Sequence, residues 1–369
     1  MSSQPSTVRF RHAPLLGVLA SVALFFVLVV GLCACEGTPS KRAAAPEENA
    51  VERLEGGRFR ARRTLMGTFF VIQVSQVDEA TAHRAMNAAL DEVERVEALI
   101  SEWRESSEIS EVIRAAGGDP VVVGPELLDV LIAAQQASRQ TRGAFDVSFA
   151  ACGSLWDFER RTIPATDALA QCLERVDYRQ IELDVNRSTV RLRQKGMRIG
   201  TGGVGKGYGV DRAAELLEAE GIKNYIVDGG GDIRLRGQRA AGEPWRTGIA
   251  APRARGELYA TMVVGEGAVV SSGDYERFFE VDGVRYHHIL NPQTGSPAGA
   301  SMAVTVIAPT ATQADALSTG FFVLGAQRAL ELVNTMPNVE ALIFDKDGVV
   351  HTSQNFPVLD LVAGGTRAP

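Results

Sequence analysis

The chain has 369 residues, 45% of them hydrophobic and 22% charged, which excludes a mostly disordered protein and a collagen-like one. Asp and Glu (45) outnumber Lys and Arg (38), so the chain lacks the basic excess that usually advertises a nucleic-acid partner. Only one long uncharged run occurs, which excludes a multi-span membrane protein.

That run opens the chain. Residues 13–32 carry no charge, and Arg9 and Arg11 lie just ahead of them. This is a basic n-region followed by an apolar h-region. Leu32-Cys33-Ala34-Cys35 then resembles the lipobox of bacterial lipoproteins. The expectation is a signal peptide over 1–34 and lipidation of Cys35. The chain would be anchored to a bacterial membrane, with its body on the periplasmic or extracytoplasmic side. An uncleaved anchor helix and plain secretion are the alternatives. Residues 35–57 read as a flexible polar tether, and 58–360 as one folded domain. Cys152 and Cys172 could pair in an oxidising compartment or stay as two buried thiols.

The domain begins with a β-rich stretch, Gly67–Ser75. Apolar residues at three- and four-residue spacing predict helices over Asp78–Ser101 and Pro125–Gln140. Alternation around Asn186-Arg187 predicts a hairpin of Ile181–Leu183 and Thr189–Leu192. A helix follows over Tyr208–Glu220, ended by Gly221, and short strands at Asn224–Val227 and Ile233–Leu235 flank a glycine cluster. Asp282-Gly283 and Asp347-Gly348 signal tight hairpins. Helices are expected over Thr312–Leu324 and Ala326–Thr335, and a strand over Glu340–Phe344. Hairpins mixed with helices, without regular βαβ alternation, place the chain in the α+β class. Its sheets should be mixed and largely antiparallel, with helices packed on them.

Residues 200–207 (GTGGVGKG) match two glycine patterns. The first is the dinucleotide fingerprint, but the half-solvated residues before it (Arg191, Arg193, Lys195) do not form the buried strand that it needs. The second is the P-loop, but Gly207 stands where Ser or Thr must hold Mg²⁺. The loop still offers free backbone N–H groups, a helix N-terminus and Lys206 to a phosphate. It could equally be a loop that needs positive φ several times.

Downstream blocks decide between these. Ser272-Gly273-Asp274-Tyr275-Glu276-Arg277 is followed by His287-His288-Ile289-Leu290-Asn291-Pro292-Gln293-Thr294-Gly295, then by Ala314-Asp315-Ala316-Leu317-Ser318-Thr319. Met66-Gly67-Thr68, Gly143-Ala144-Phe145-Asp146 and Gly202-Gly203-Val204-Gly205-Lys206-Gly207-Tyr208, leading to Asp211, precede them. In this order the blocks resemble the FAD:protein FMN transferases, the ApbE family, over roughly 58–352. The resemblance implies an ApbE-like flavin transferase fold and Mg²⁺-dependent transfer of FMN from FAD to a Thr or Ser hydroxyl of a target flavoprotein, releasing AMP. The implied acceptor is a subunit of a membrane redox complex.

Residue by residue, the resemblance implies Mg²⁺ ligands at Asp315, Thr319 and the Gly203 carbonyl. It implies flavin-nucleotide contacts at Met66, Trp103, Ala144, Phe145, Asp146, Lys206 and Ile289. His288 matches the histidine near the reacting phosphate. The chain departs from the family at Gly200, where an Asp that contacts FAD is usual. It departs also at Asn291 (usually Asp) and at Gly320 (commonly Ala).

The residues support the same chemistry on their own. Adjacent His on a strand point to opposite faces, so His287 and His288 do not share a metal and one His is left to work. Asp315 and Thr319 lie one helical turn apart, and hard oxygen ligands suit Mg²⁺. His288 is the expected proton acceptor. An FAD pyrophosphatase yielding FMN and AMP, and a non-catalytic FAD-binding lipoprotein, are the alternative readings.

Overall fold

The computed structural model describes residues 50–362. The expected signal peptide, Cys35 and most of the tether lie outside the described residues. No helix among the described residues is long and apolar enough to cross a membrane.

The centre is a nine-stranded sheet. Its spatial order is Glu52–Leu54, Arg58–Leu65, Thr68–Val74, Tyr225–Gly229, Asp232–Arg236, Glu266–Gly273, Ser301–Ala308, Glu340–Asp345 and Val350–Thr352. Every neighbouring pair in it is antiparallel. The class is α+β, as the pattern predicts. One boundary is corrected. Residues 52–54, read as tether, pair with Arg58–Leu65 across a turn in which Gly56 and Gly57 take φ of 75° and 71°.

Helices cover one face. Glu79–Ile100 starts at Asp78, whose carboxylate accepts from the Thr81 N–H at 2.9 Å. It packs on Gly205–Ala219, which in turn packs on Ala311–Leu324. Met86, Leu90 and Val93 of the first helix share a core with Phe70 and Ile72 of the sheet, Leu217 of the second helix and Phe321 of the third. The other face is covered in part by a three-stranded sheet of Arg246–Ala250, Leu258–Val263 and Asp360–Leu361 over Leu235, Val269 and Phe344.

A second core holds the end of the first helix, the Pro125–Gln140 helix and the Ile181–Asp184/Thr189–Leu192 hairpin, around Ile100, Leu131, Phe145 and Val190. Cys152 and Cys172 form a disulfide with Cα atoms 5.1 Å apart. Asp282-Gly283 makes the expected tight turn between Phe278–Val281 and Val284–His287, with φ of 50° and 75°.

The helix expected over Tyr208–Glu220 begins three residues earlier, at Gly205. Intrinsic propensity disfavours Gly in a helix, but here tertiary packing demands it. A Cβ on Gly207 would fall 2.3 Å from the Ala311 carbonyl oxygen, and one on Gly209 would fall 2.8 Å from Met66 Cε. The residue that spoils the P-loop pattern is therefore the point where two helices touch.

Candidate active site

A cavity of about 630 Å³ opens where the two cores meet. That size suits a nucleotide-scale ligand, since ligand pockets run roughly 300–1,000 Å³. The residues singled out in the sequence converge on it. Met66, Trp103, Ala144, Phe145, Asp146, Gly203, Lys206, His288, Ile289, Asp315 and Thr319 all line its wall.

The glycine loop forms one side. Thr201 Oγ1 lies 2.9 Å from the Ile100 carbonyl and 2.8 Å from the Glu102 carboxylate, which ties the loop to the end of the first helix. Gly203 packs against Phe145 and Thr319, since a Cβ there would lie 3.1 Å from the Phe145 ring and 3.2 Å from Thr319 Oγ1. Lys206 follows in the first helical turn. Its ammonium lies 2.7 Å from Asp232 and 3.9 Å from Asp315. Burial opposes its charge, yet the two carboxylates hold its pKa above the usual lysine range.

Asp315 and Thr319 come from the Ala311–Leu324 helix. Asp211 fixes that helix: its carboxylate accepts from the Ala311 and Thr312 N–H groups at 2.9 and 2.8 Å. The Asp315 carboxylate accepts from the Gly207 N–H at 3.1 Å and is 2% exposed. Burial, then the neighbouring Asp232 charge, pushes its pKa well above the usual range. The Ser272 hydroxyl lies 3.4 Å from Thr319 Oγ1.

The two histidines diverge as strand geometry requires. His287 is buried, with Nε2 2.8 Å from the Ala298 carbonyl and its ring edge-on to Phe322. His288 faces the cavity, with Nδ1 3.3 Å from the Arg277 carbonyl. Burial holds its pKa down to about 4, so the ring is neutral at pH 7.

The remaining residues differ in how they serve the wall. Met66 donates its backbone N–H to Glu97 at 2.9 Å. Ala144, Phe145 and Ile289 are buried, whereas Trp103 is 80% exposed and stands at the mouth. Asp146 is committed to its own loop and to the start of the segment at Tyr178. Its carboxylate accepts from the Ser148 N–H and hydroxyl at 2.8 and 2.6 Å and from the Tyr178 N–H at 2.8 Å. Burial raises its pKa against those hydrogen bonds.

The departures also find places. Gly200 is buried outside the cavity wall, where a Cβ would lie 3.0 Å from the Phe149 ring. Asn291 accepts from the Gln293 N–H at 2.9 Å, a bond that an Asp oxygen would equally accept. A Cβ on Gly320 would meet Thr141 Cγ2 at 2.6 Å, so Thr141 fills the space of the usual methyl.

Sequence reasoning missed Asp232, 1% exposed beside Lys206. Its one signal is its position directly after the glycine cluster 229–231.

Six carboxylates line the cavity (Glu97, Glu102, Asp146, Asp232, Glu276 and Asp315) against three cations (Arg104, Lys206 and Arg277). Among the described residues no three His, Cys, Asp or Glu side chains group as a metal site. Asp315, Thr319 and Gly203 nevertheless line the same cavity, Gly203 packs beside Thr319, and a carboxylate, a hydroxyl and a backbone carbonyl in a wall with excess negative charge are donors of the hard-oxygen kind that a divalent cation such as Mg²⁺ takes.

An antiparallel α+β body with a glycine loop, a half-buried lysine paired to a buried aspartate and a neutral histidine around one cavity defines a nucleotide-handling protein. Residues 66–343 match the family model described as ApbE family, and the chain belongs to that family. It is 36% identical to the FAD:protein FMN transferase of Treponema pallidum, over 81% of this chain and 89% of that protein. It is 31% identical to that of Klebsiella pneumoniae, over 85% and 90%. Among solved structures, the ApbE protein of Thermotoga maritima matches with a TM-score of 0.74 and 32% identity, over 81% of this chain and 98% of that one. The flavin transferase ApbE of Vibrio cholerae matches with a TM-score of 0.72 and 28% identity, over 83% and 99%.

Proposed function

We propose that this chain transfers FMN from FAD to a Thr or Ser hydroxyl of a target flavoprotein and releases AMP. The observation that carries the reading is the convergence of the glycine loop, Lys206, His288 and Asp315 on one cavity. The chain is a transferase of the same family as the curated FAD:protein FMN transferases.

The chemistry follows from the residues. The target hydroxyl oxygen forms a bond to the FMN-side phosphorus, and the bond from that phosphorus to the bridging oxygen breaks. AMP leaves with the bridging oxygen. The hydroxyl proton goes to His288. With Nδ1–H donated to the Arg277 carbonyl, the free lone pair sits on Nε2. Such a base contributes roughly 10²–10⁴-fold. A substrate phosphate beside the ring raises its pKa from the low value of the free enzyme. Lys206, fixed by Asp232, offers a steady positive charge to the pyrophosphate. Asp315, Thr319 and the Gly203 carbonyl would hold Mg²⁺. The ion, when bound, supplies charge neutralisation of the phosphate oxygens.

An extracytoplasmic, lipid-anchored location is part of the proposal. It is supported by the run over 13–32, by Cys35 and by the Cys152–Cys172 bridge, since disulfides persist in oxidising compartments. The acceptor would then be a subunit of a membrane redox complex.

One assay tests the reaction. The purified full chain is mixed with FAD, Mg²⁺ and a candidate acceptor domain. Flavin fluorescence on the acceptor in a denaturing gel is expected. Free FMN and AMP with unlabelled acceptor would make the chain an FAD pyrophosphatase, and bound FAD with neither product would make it a binder.

A further inference from the structure

The three cations of the cavity are not equivalent. Arg104 lies 3.3 Å from Glu97. Lys206 is held between Asp232 and Asp315. Arg277 makes no ion pair among the described residues, although it lines the same wall. Its guanidinium carbon stands 5.3 Å from the centroid of the Phe158 ring instead. A cation over an aromatic face keeps its full charge for a ligand, and a guanidinium matches phosphate oxygens two at a time.

The backbone of Arg277 adds a second link. Its carbonyl accepts from the His288 N–H at 3.1 Å and lies 3.3 Å from His288 Nδ1. The residue that orients the imidazole therefore also carries a charge that makes no ion pair among the described residues and is near enough to help hold the His288 pKa down. A phosphate held at His288 would lie against the same wall as Arg277. Phe158, the platform, belongs to the loop closed by the Cys152–Cys172 disulfide.

We propose that Arg277 is a phosphate-binding residue of the active site, whose guanidinium grips the non-bridging oxygens of the phosphoryl group that is transferred. This rests on the FMN-transfer reading, but its test needs no transfer. Binding of FMN and of riboflavin to the full chain is measured by flavin fluorescence, without acceptor. Riboflavin has the ring system and lacks the phosphate.

Arg277→Ala is expected to weaken FMN binding by about 10- to 100-fold, the usual size of a charge-assisted hydrogen bond. Riboflavin binding should stay within about twofold, because the removed group meets only phosphate. Arg277→Lys should fall between, keeping charge without the planar fork. Parental FMN affinity in Arg277→Ala would overturn the proposal. So would an equal loss for both ligands in both variants, which would mark a structural role. Failure of the parent chain to label any acceptor, with the FMN–riboflavin contrast intact, would strike the transfer reading alone.

Discussion

The Asp211 carboxylate accepts both the backbone N–H of Thr312, at 2.8 Å, and its hydroxyl, at 2.6 Å. The same carboxylate pairs with Arg234 at 2.7 Å. One buried acid thus joins the glycine-loop helix, the sheet and the first turn of the helix that carries Asp315. Asp211→Asn leaves Arg234 without its charge partner in a mostly buried site. A loss of about 3–5 kcal/mol is expected, as for breaking a buried pair. Urea unfolding measures it, and an unchanged midpoint would rule Asp211 out as the support of that helix.

Asp315→Ala removes the carboxylate from the hard-oxygen donors. FMN transfer should fall by at least about 100-fold, the scale of losing one preorganised electrostatic group. Circular dichroism should remain parental, because Asp315 holds the fold only through its bond to Gly207 and its long ion pair with Lys206, which Asp232 still neutralises. Parental turnover at limiting Mg²⁺ would contradict the metal assignment.

His288 gives a pH signature. Its pKa is held down to about 4, first by burial and then by the charges of His287, Lys206 and Arg277. A base works when unprotonated, so activity is lost only as pH falls through the folded value. The acid limb of kcat/KM, which reports the free enzyme, should show no break from this residue between pH 8 and 5. An ordinary histidine would break near 6.5. The same shift makes the folded state take up fewer protons than the unfolded chain between those two values. Its contribution to stability is therefore present above about 6.5 and is lost towards 4. A kcat/KM break at 6.5 that disappears in His288→Gln would refute the low pKa.

The Cys152–Cys172 bridge closes a loop over a sequence separation of 20. Closing a loop of that size is worth about 3 kcal/mol. Cys172→Ser, or dithiothreitol on the parent, should lower the unfolding free energy by about that amount. Dithiothreitol should leave Cys172→Ser unaffected; a further drop there would assign the effect to something other than the bridge.

Gly207→Ser would complete the P-loop pattern on paper. In this fold the new Cβ would fall 2.3 Å from the Ala311 carbonyl oxygen. Overpacking of this kind costs about 1–3 kcal/mol or more. A lower melting temperature and weaker FAD binding are expected; a stabilised protein with a P-loop-like Mg²⁺ response would reverse the assignment.

Much of this was legible in the sequence, for physical reasons that differ from residue to residue. The 79–100 helix is amphipathic and has an Asp cap, so its period and its start both show. Asp282-Gly283 is visible because positive φ at two successive positions restricts residue choice. The strands Glu266–Gly273 and Ser301–Ala308 are harder to see. They lie inside the sheet and are covered on both faces for much of their length, so their apolar residues run together and do not alternate. The early start of the 205–219 helix was hidden because glycines that serve close packing look like glycines that serve a loop. Asp232 was hidden because its meaning comes from Lys206, 26 residues away in the chain and 2.7 Å away in space. The cationic role of Arg277 depends on which other cations are already paired, which no local pattern records.

The order of strands has a consequence for how the site comes into being. The cavity takes its wall from Met66 at one end of the chain to Thr319 near the other. The strands that frame it are neighbours only because distant segments meet, as Thr68–Val74 meets Tyr225–Gly229. No contiguous fragment holds the cavity, and contacts of such long range are made late and slowly. Nucleotide binding therefore reports completion of the whole sheet, and a partly folded chain would have nothing with which to hold FAD.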